Sequence, residues 1–109
     1  MINWSRVRLL RDELGIGEFD EVVQVFLDEV QETIDRLQQD TNRIEFEQNM
    51  HFLKGSALNL GFDCFSKLCQ DGERIAAAGK AGDVDLPAIL KVYEESRAKF
   101  FSEKDANLA

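Results

Sequence analysis

The sequence contains few of the residues that build metal sites or nucleic-acid interfaces. It has one histidine and two cysteines, Cys64 and Cys69, whose number and spacing do not allow a zinc site of the Cys/His kind. Acidic residues outnumber basic ones by 21 to 13, giving a net charge of −8. A nucleic-acid binder needs a basic footprint, so this balance argues against one. No apolar run approaches the roughly 20 residues that cross a bilayer, so we expect no membrane partner.

The length and the N-terminus set further expectations. A chain of 109 residues allows one domain, over residues 1–109, and is too short for a kinase that carries its own nucleotide-binding domain beside a second module. Hydrophobic residues make up 44% and charged residues 31%, as in a folded protein. The first four residues have no apolar signal core, so we expect a cytoplasmic protein. In the cytoplasm, the two cysteines are expected to be reduced, half-buried helix residues.

Proline is almost absent, and the seven glycines are mostly clustered at intervals, which predicts long helices. A short first helix is predicted at about residues 4–14. The second, at about 18–40, carries apolar residues at steps of three and four over some six turns. Three more amphipathic stretches follow, joined by short loops. We therefore predict an all-α fold, an antiparallel up-down four-helix bundle over about residues 18–103 with a short additional N-terminal helix.

Capping and glycine signals predict where the helices end. Asn42 followed by Glu45 has the spacing of a capping box that opens the third helix, and Gly61 suits its C-terminal end. The remaining signals are Asn3 and Asp63 as N-caps, residues 15–17 as the end of the first helix, residues 79–83 as the loop before the last helix, and Asp85 and Pro87 in the first turn of that helix.

His51 is predicted to lie on the third helix, away from the apolar stripe. The stripe is centred near the direction of Phe46 and Leu53, and His51 points roughly 140° from that centre. This geometry argues against a core histidine. An ordinary surface histidine remains possible until its neighbours on the same face are considered.

Four residues share the face of His51, at helical spacings from it: Glu47, Lys54, Gly55 and Leu58. Glycine inside a helix costs about 1 kcal/mol relative to alanine, so Gly55 suggests that another molecule approaches there. Lys54 places a positive charge where an anionic group on the imidazole would sit, and Leu58 offers an exposed apolar contact. The combination of nucleophile, cation, clearance and apolar contact predicts a site that accepts a phosphoryl group from another protein.

The segment at residues 51–61 reads HFLKGSALNLG. It resembles the signature His-x-Leu-Lys-Gly-Ser-x-x-x-Leu-Gly of histidine-containing phosphotransfer (HPt) domains, and every signature position is filled. The resemblance extends over the whole chain, because these domains are four-helix bundles of about this length. It implies phosphorylation of His51 and reversible exchange with an aspartate of a response-regulator receiver domain. It also implies a supporting role for Lys54 and docking clearance at Gly55.

The next helix is similar to the corresponding HPt helix. The segment at residues 65–73 reads FSKLCQDGE, and Glu73 falls where relatives place an acid or amide that hydrogen-bonds the histidine ring. Gly72 departs from the pattern, since a large apolar residue is common there, and we expect a thinner core or a bend in the helix. A hydrogen bond from Nδ1–H of His51 to Glu73 would leave Nε2 facing solvent as the phosphorylation site.

No glycine-rich phosphate loop, Walker lysine or metal-ligand cluster is recognisable in the sequence. We therefore expect a phosphocarrier without ATP-dependent kinase activity and without a cofactor of its own, the Mg²⁺ and the acidic pocket being supplied by the receiver. The expected partners are receiver domains and a hybrid sensor histidine kinase, and Glu47, Gly55 and Leu58 are the candidate docking residues.

Two alternatives stay open. One is a receiver-binding adaptor or phosphate sink of the same fold, which would not pass the phosphoryl group on. The other is an enzyme with His51 as general base and Glu73 as its orienting group. The second requires a concave substrate pocket, and the face around His51 is expected to be convex. The sequence does not specify the donor kinase, the receiver, the direction of phosphate flow or the oligomeric state.

Overall fold

The computed structural model describes residues 1–108, and over this range the chain forms an elongated all-α bundle of 44 × 21 × 19 Å. The predicted fold class is confirmed. None of the helices in this range is both long enough and apolar enough to cross a membrane. The helices are α1 (Trp4–Leu14), α2 (Ile16–Gln39), α3 (Phe46–Leu60), α4 (Asp63–Ala77) and α5 (Leu86–Leu108), with a short 3₁₀ turn at Ala81–Asp83.

Helix α1 begins and ends as predicted. The Asn3 side chain accepts a hydrogen bond from the backbone N–H of Arg6, and Gly15 ends the helix with a positive φ of +84°. The chain re-enters a helix immediately, at Ile16, so the prediction that α2 begins near residue 18 is wrong by two residues. One glycine at positive φ is sufficient for the turn, and Gly17 is helical.

The predicted capping box before α3 is wrong. Glu45 occupies the N-cap position itself, one residue before Phe46, and makes no side-chain capping bond. The carboxylate of Asp40 caps the turn instead, accepting hydrogen bonds from the backbone N–H groups of Ile44 at 3.1 Å and Glu45 at 2.9 Å. A side chain at the end of α2 therefore satisfies backbone donors that the local pattern assigned to Asn42.

The turn between α3 and α4 is pinned by the N-terminal segment. Gly61 ends α3 in the left-handed region at φ +73°, as predicted, and a Cβ there would lie 2.6 Å from the carbonyl oxygen of Asn3. The backbone N–H of Asn3 donates to the carbonyl of Gly61 at 2.7 Å. Phe62 is the N-cap of α4 and Asp63 is its first residue, so the prediction of Asp63 as the cap is wrong by one position.

One apolar core runs along the bundle and is formed by the apolar faces of the helices. At one end Phe100 of α5 stacks on Trp4 of α1, with ring centroids 5.5 Å apart, and meets Phe62 edge-on at 5.8 Å. These contacts join the first helix, the α3–α4 turn and the last helix. The prediction that Asp85 lies in the first turn of the last helix is wrong by one position, because α5 begins at Leu86 and the Asp85 carboxylate caps it by accepting from the backbone N–H of Ala88 at 3.1 Å. The helix continues to Leu108, beyond the bundle end expected near residue 103.

Gly72 does not thin the core, contrary to the expectation. It is buried inside α4, which is helical throughout from Asp63 to Ala77. A Cβ added to Gly72 would lie 3.1 Å from Sδ of Met50, 3.4 Å from Val84 and 3.5 Å from Ile89. Neighbouring side chains therefore fill the space that a larger residue would occupy, and α3 packs closely against α4 at this point.

The two cysteines are free, but neither is half-buried as expected. Cys64 is exposed, whereas Cys69 is fully buried in the core. Burial raises the pKa of the Cys69 thiol to about 12, because a thiolate would lose its hydration there. Cys69 is therefore a protonated core residue at neutral pH.

Candidate functional site

His51 lies on the outer surface of α3, and its side chain is 68% exposed. Its Nδ1 lies 2.8 Å from Oε2 of Glu73 on α4. The helical period places His51 on the solvent side, because Met50 and Leu53 on the same helix are directed into the core. The imidazole is thus accessible at one ring nitrogen and held at the other.

Glu73 also binds the candidate cation. The Nζ of Lys54 donates to Oε1 of Glu73 at 2.7 Å, so one carboxylate bridges two residues that lie three positions apart on α3. Both side chains of this pair are partly buried, at 25% exposed for Lys54 and 22% for Glu73. The close approach of α3 and α4 at Gly72 brings Glu73 within reach of both partners. The structure therefore joins three of the predicted site residues in one network.

The pKa of Glu73 is lowered from its ordinary value of 4.5. The main cause is the hydrogen bond from Lys54, a second is the hydrogen bond from His51, and partial burial opposes both. Glu73 is therefore an ionised acceptor at neutral pH. An ionised carboxylate accepts from Nδ1–H, and this fixes the neutral tautomer in which the lone pair of Nε2 points away from Glu73.

The face of α3 beyond His51 is open. A Cβ added to Gly55 would meet nothing within 4 Å, and Leu58, one turn further, is 51% exposed. The backbone carbonyl of Lys54 accepts a hydrogen bond from Ser66 Oγ at 3.4 Å, which ties this part of α3 to α4. Within residues 1–108, Gly55 is thus free of packing constraints, and no contact in this range requires a glycine at that position.

A shallow, open groove lies on the other side of His51, so the expectation of a purely convex face is wrong. It is lined by His51, Glu73, Glu47, Ile44, Glu45 and Gln48. Ile44 was not recognised as a site residue from the sequence, although it is 80% exposed. One feature of the sequence could have identified Ile44: it is an apolar residue among polar ones, shortly before α3 and outside the buried stripe of that helix.

Within residues 1–108 no group of three or more histidine, cysteine, aspartate or glutamate side chains is arranged to hold a metal ion. Glu73 is the acid nearest to His51, and its two oxygens already accept from Lys54 and His51. This surface presents an oriented imidazole, a lysine ammonium and open space next to Gly55.

Comparison with known protein families agrees with this geometry. The family model for the Hpt domain matches residues 21–98, which covers most of the chain, from α2 into α5. The chain belongs to the Hpt domain family. Such domains carry phosphoryl groups in phosphorelays, interact with receiver domains and are phosphocarrier modules, not kinases. No curated protein and no solved structure matched the chain.

Proposed function

We propose that His51 accepts a phosphoryl group at Nε2 and exchanges it reversibly with the aspartate of a response-regulator receiver domain. The observation that carries the proposal is the imidazole of α3, 68% exposed, with Nδ1 held 2.8 Å from Glu73. A ring held in this way presents its nucleophilic nitrogen to a partner protein, with its orientation set before the partner arrives.

In the forward step, the Nε2 lone pair attacks the phosphorus of an aspartyl phosphate. The Nε2–P bond forms as the P–O bond to the aspartate breaks, and the carboxylate leaves with the bonding electrons. The proton on Nδ1 stays in the hydrogen bond to Glu73. The imidazole becomes more positive as it is phosphorylated, so the ionised Glu73 beside it stabilises that charge. The reverse step follows the same path.

Lys54 supplies positive charge to the same step. One of its three N–H groups donates to Glu73, so the others are available to the equatorial oxygens of the phosphoryl group in transfer. The ion pair also offsets the negative charge of Glu73, which would otherwise repel an incoming phosphate. We assign Lys54 to charge stabilisation and Glu73 to orientation of the ring.

The partner completes the site. Gly55 leaves room for the receiver's reacting aspartate, and Leu58 and Glu47 contribute to the docking face around His51. The receiver supplies the Mg²⁺ and the acidic pocket that phosphoryl transfer requires, and this chain contributes no cofactor. We further propose that a hybrid sensor histidine kinase is the upstream donor and that the relay works in the cytoplasm.

A labelling experiment with a panel of phosphorylated receivers tests the proposal. The wild-type chain should take up acid-labile phosphate and return it to an unphosphorylated receiver, whereas His51→Gln should do neither. Label that enters His51 but is never returned would identify a phosphate sink. The variant should melt like the wild type, because His51 makes no core contact. Uptake by His51→Gln would refute the proposal.

A further inference from the structure

The groove beside His51 contains an apolar side chain that the fold holds in the open. Ile44 is 80% exposed and lines the groove together with His51 and Glu47. A single exposed isoleucine is common on protein surfaces and proves little alone. Ile44 precedes the proposed phosphoacceptor along the chain, whereas Leu58 follows it. Ile44 is therefore a second apolar side chain that a partner docked at His51 could contact.

The turn that carries Ile44 is tightly held. Asp40 accepts from the backbone N–H of Ile44, and Arg43 occupies the left-handed region at φ +55°, which is unusual for a residue with a side chain. The guanidinium of Arg43 donates to the carbonyls of Ala81 and Val84, both at 2.8 Å. Ile44 is therefore displayed on a fixed backbone, and a partner would not need to order the turn on binding.

The groove also has a charge of one sign. Glu45 and Glu47 line it, and within residues 1–108 neither forms an ion pair with a basic side chain. Glu73, the third carboxylate, is already paired with Lys54. An occupant therefore meets an apolar contact at Ile44 and the uncompensated negative charge of Glu45 and Glu47 in the same groove.

We propose that this groove is a recognition site for the receiver domain and selects receivers that present an apolar side chain next to a lysine or arginine. The inference rests on the proposed function, since the receiver reaches the groove only when it docks at His51. Apolar contact with Ile44 contributes affinity, and the charges of Glu45 and Glu47 favour a basic neighbour and accelerate association.

A structural role for the two glutamates alone is the competing explanation. Both lie at the N-terminal end of α3, where negative charge stabilises a helix. That role would change thermal stability when a glutamate is neutralised, but it would not change affinity for a receiver. The salt dependence of binding therefore separates the two explanations.

The test uses a receiver domain that exchanges phosphate with the wild-type chain. Its affinity is measured for wild type, Ile44→Ser and the matched control Ile16→Ser, since Ile16 is 84% exposed at the opposite end of α2. Ile44→Ser should weaken binding about tenfold, and Ile16→Ser should leave it unchanged. The double variant Glu45→Gln/Glu47→Gln should bind more weakly at low salt, with the difference vanishing at high salt.

The failure of this inference is distinguishable from failure of the proposed function. Wild-type affinity for Ile44→Ser, in a chain whose His51 still takes up label, would remove Ile44 from the interface and leave the phosphocarrier intact. Weakening by Ile16→Ser equal to that by Ile44→Ser would also overturn the inference. A wild-type chain that takes up no label from any receiver would overturn both proposals.

Discussion

Glu73 connects the nucleophile to the cation through its two carboxylate oxygens. Lys54 reaches one oxygen and His51 the other, at 2.7 and 2.8 Å. The sequence indicates the position of Glu73 only through the family resemblance, and it gives no signal of the contact with Lys54. A pattern along the sequence can place two residues on one helix face, but a contact across 19 positions depends on how α3 and α4 pack.

The lowered pKa of Glu73 predicts a pH-dependent contribution to stability. The group is more acidic in the folded chain than its ordinary value of 4.5, so its contribution is fully present above that pH and is lost as the pH falls through the folded pKa. The difference in free energy of unfolding between wild type and Glu73→Gln should therefore shrink on acidification, measured by urea denaturation from pH 7 to pH 3.

The same series in a His51→Gln background isolates the Lys54 contact, which is the main cause of the lowered pKa. In this background, the loss of unfolding free energy caused by Glu73→Gln should persist but be smaller. A difference that grows as the pH falls would contradict the proposed ionised network.

Lys54 is predicted to act mainly on the transfer step. Lys54→Met keeps an unbranched side chain of similar length and removes the charge. Transfer within the receiver complex should slow by about a hundredfold, as is typical when one stabilising donor is removed from a transition state, while receiver affinity changes far less. Lys67→Met, at an exposed position of α4, is the control. Equal losses of rate and affinity would make Lys54 a docking residue.

At the scale of helices, periodicity predicted the elements well and their ends less well. The buried stripe of α2 follows steps of three and four, and so each apolar position indicates the same face. The start of α3 could not be read in this way, because Asp40 and Arg43 organise the turn through contacts that the pattern Asn42–Glu45 does not reveal. Local signals compete with one another, and long-range packing decides between them.

The junction of α3 and α4 at Gly72 gives a prediction of its own. Gly72→Leu should destabilise the bundle by about 1–3 kcal/mol, because its side chain would enter space held by Met50, Val84 and Ile89. Adding Met50→Ala should recover part of the loss, since it removes the nearest neighbour. Denaturant melts measure both effects.

Gly55→Ala is the matched control for Gly72. It meets open space and should stabilise the chain by up to about 1 kcal/mol through helix propensity alone. If Gly72→Leu were as stable as wild type, the account of close packing between α3 and α4 would be wrong.

For the whole molecule, the composition and the signature segment were sufficient to predict an all-α bundle with His51 on its surface. They did not reveal the groove beside His51, since Ile44 and Glu73 come from a turn and a helix that meet only in the folded chain. They also did not predict how the N-terminal segment closes on Gly61. Features formed by residues of one helix were predictable from the pattern along the chain, whereas the contact between His51 and Glu73 on two helices was predictable only from the family resemblance.

The most direct test of the central claim is to locate the phosphoryl group on the intact chain. After phosphorylation by a receiver, nitrogen NMR of the ¹⁵N-labelled imidazole distinguishes a phosphorus bonded to Nε2 from one bonded to Nδ1. We predict a single phosphorylated nitrogen, Nε2 of His51, with Nδ1 still protonated and hydrogen-bonded to Glu73. Phosphorus on Nδ1, or on a side chain other than His51, would contradict the proposed orientation and the function built on it.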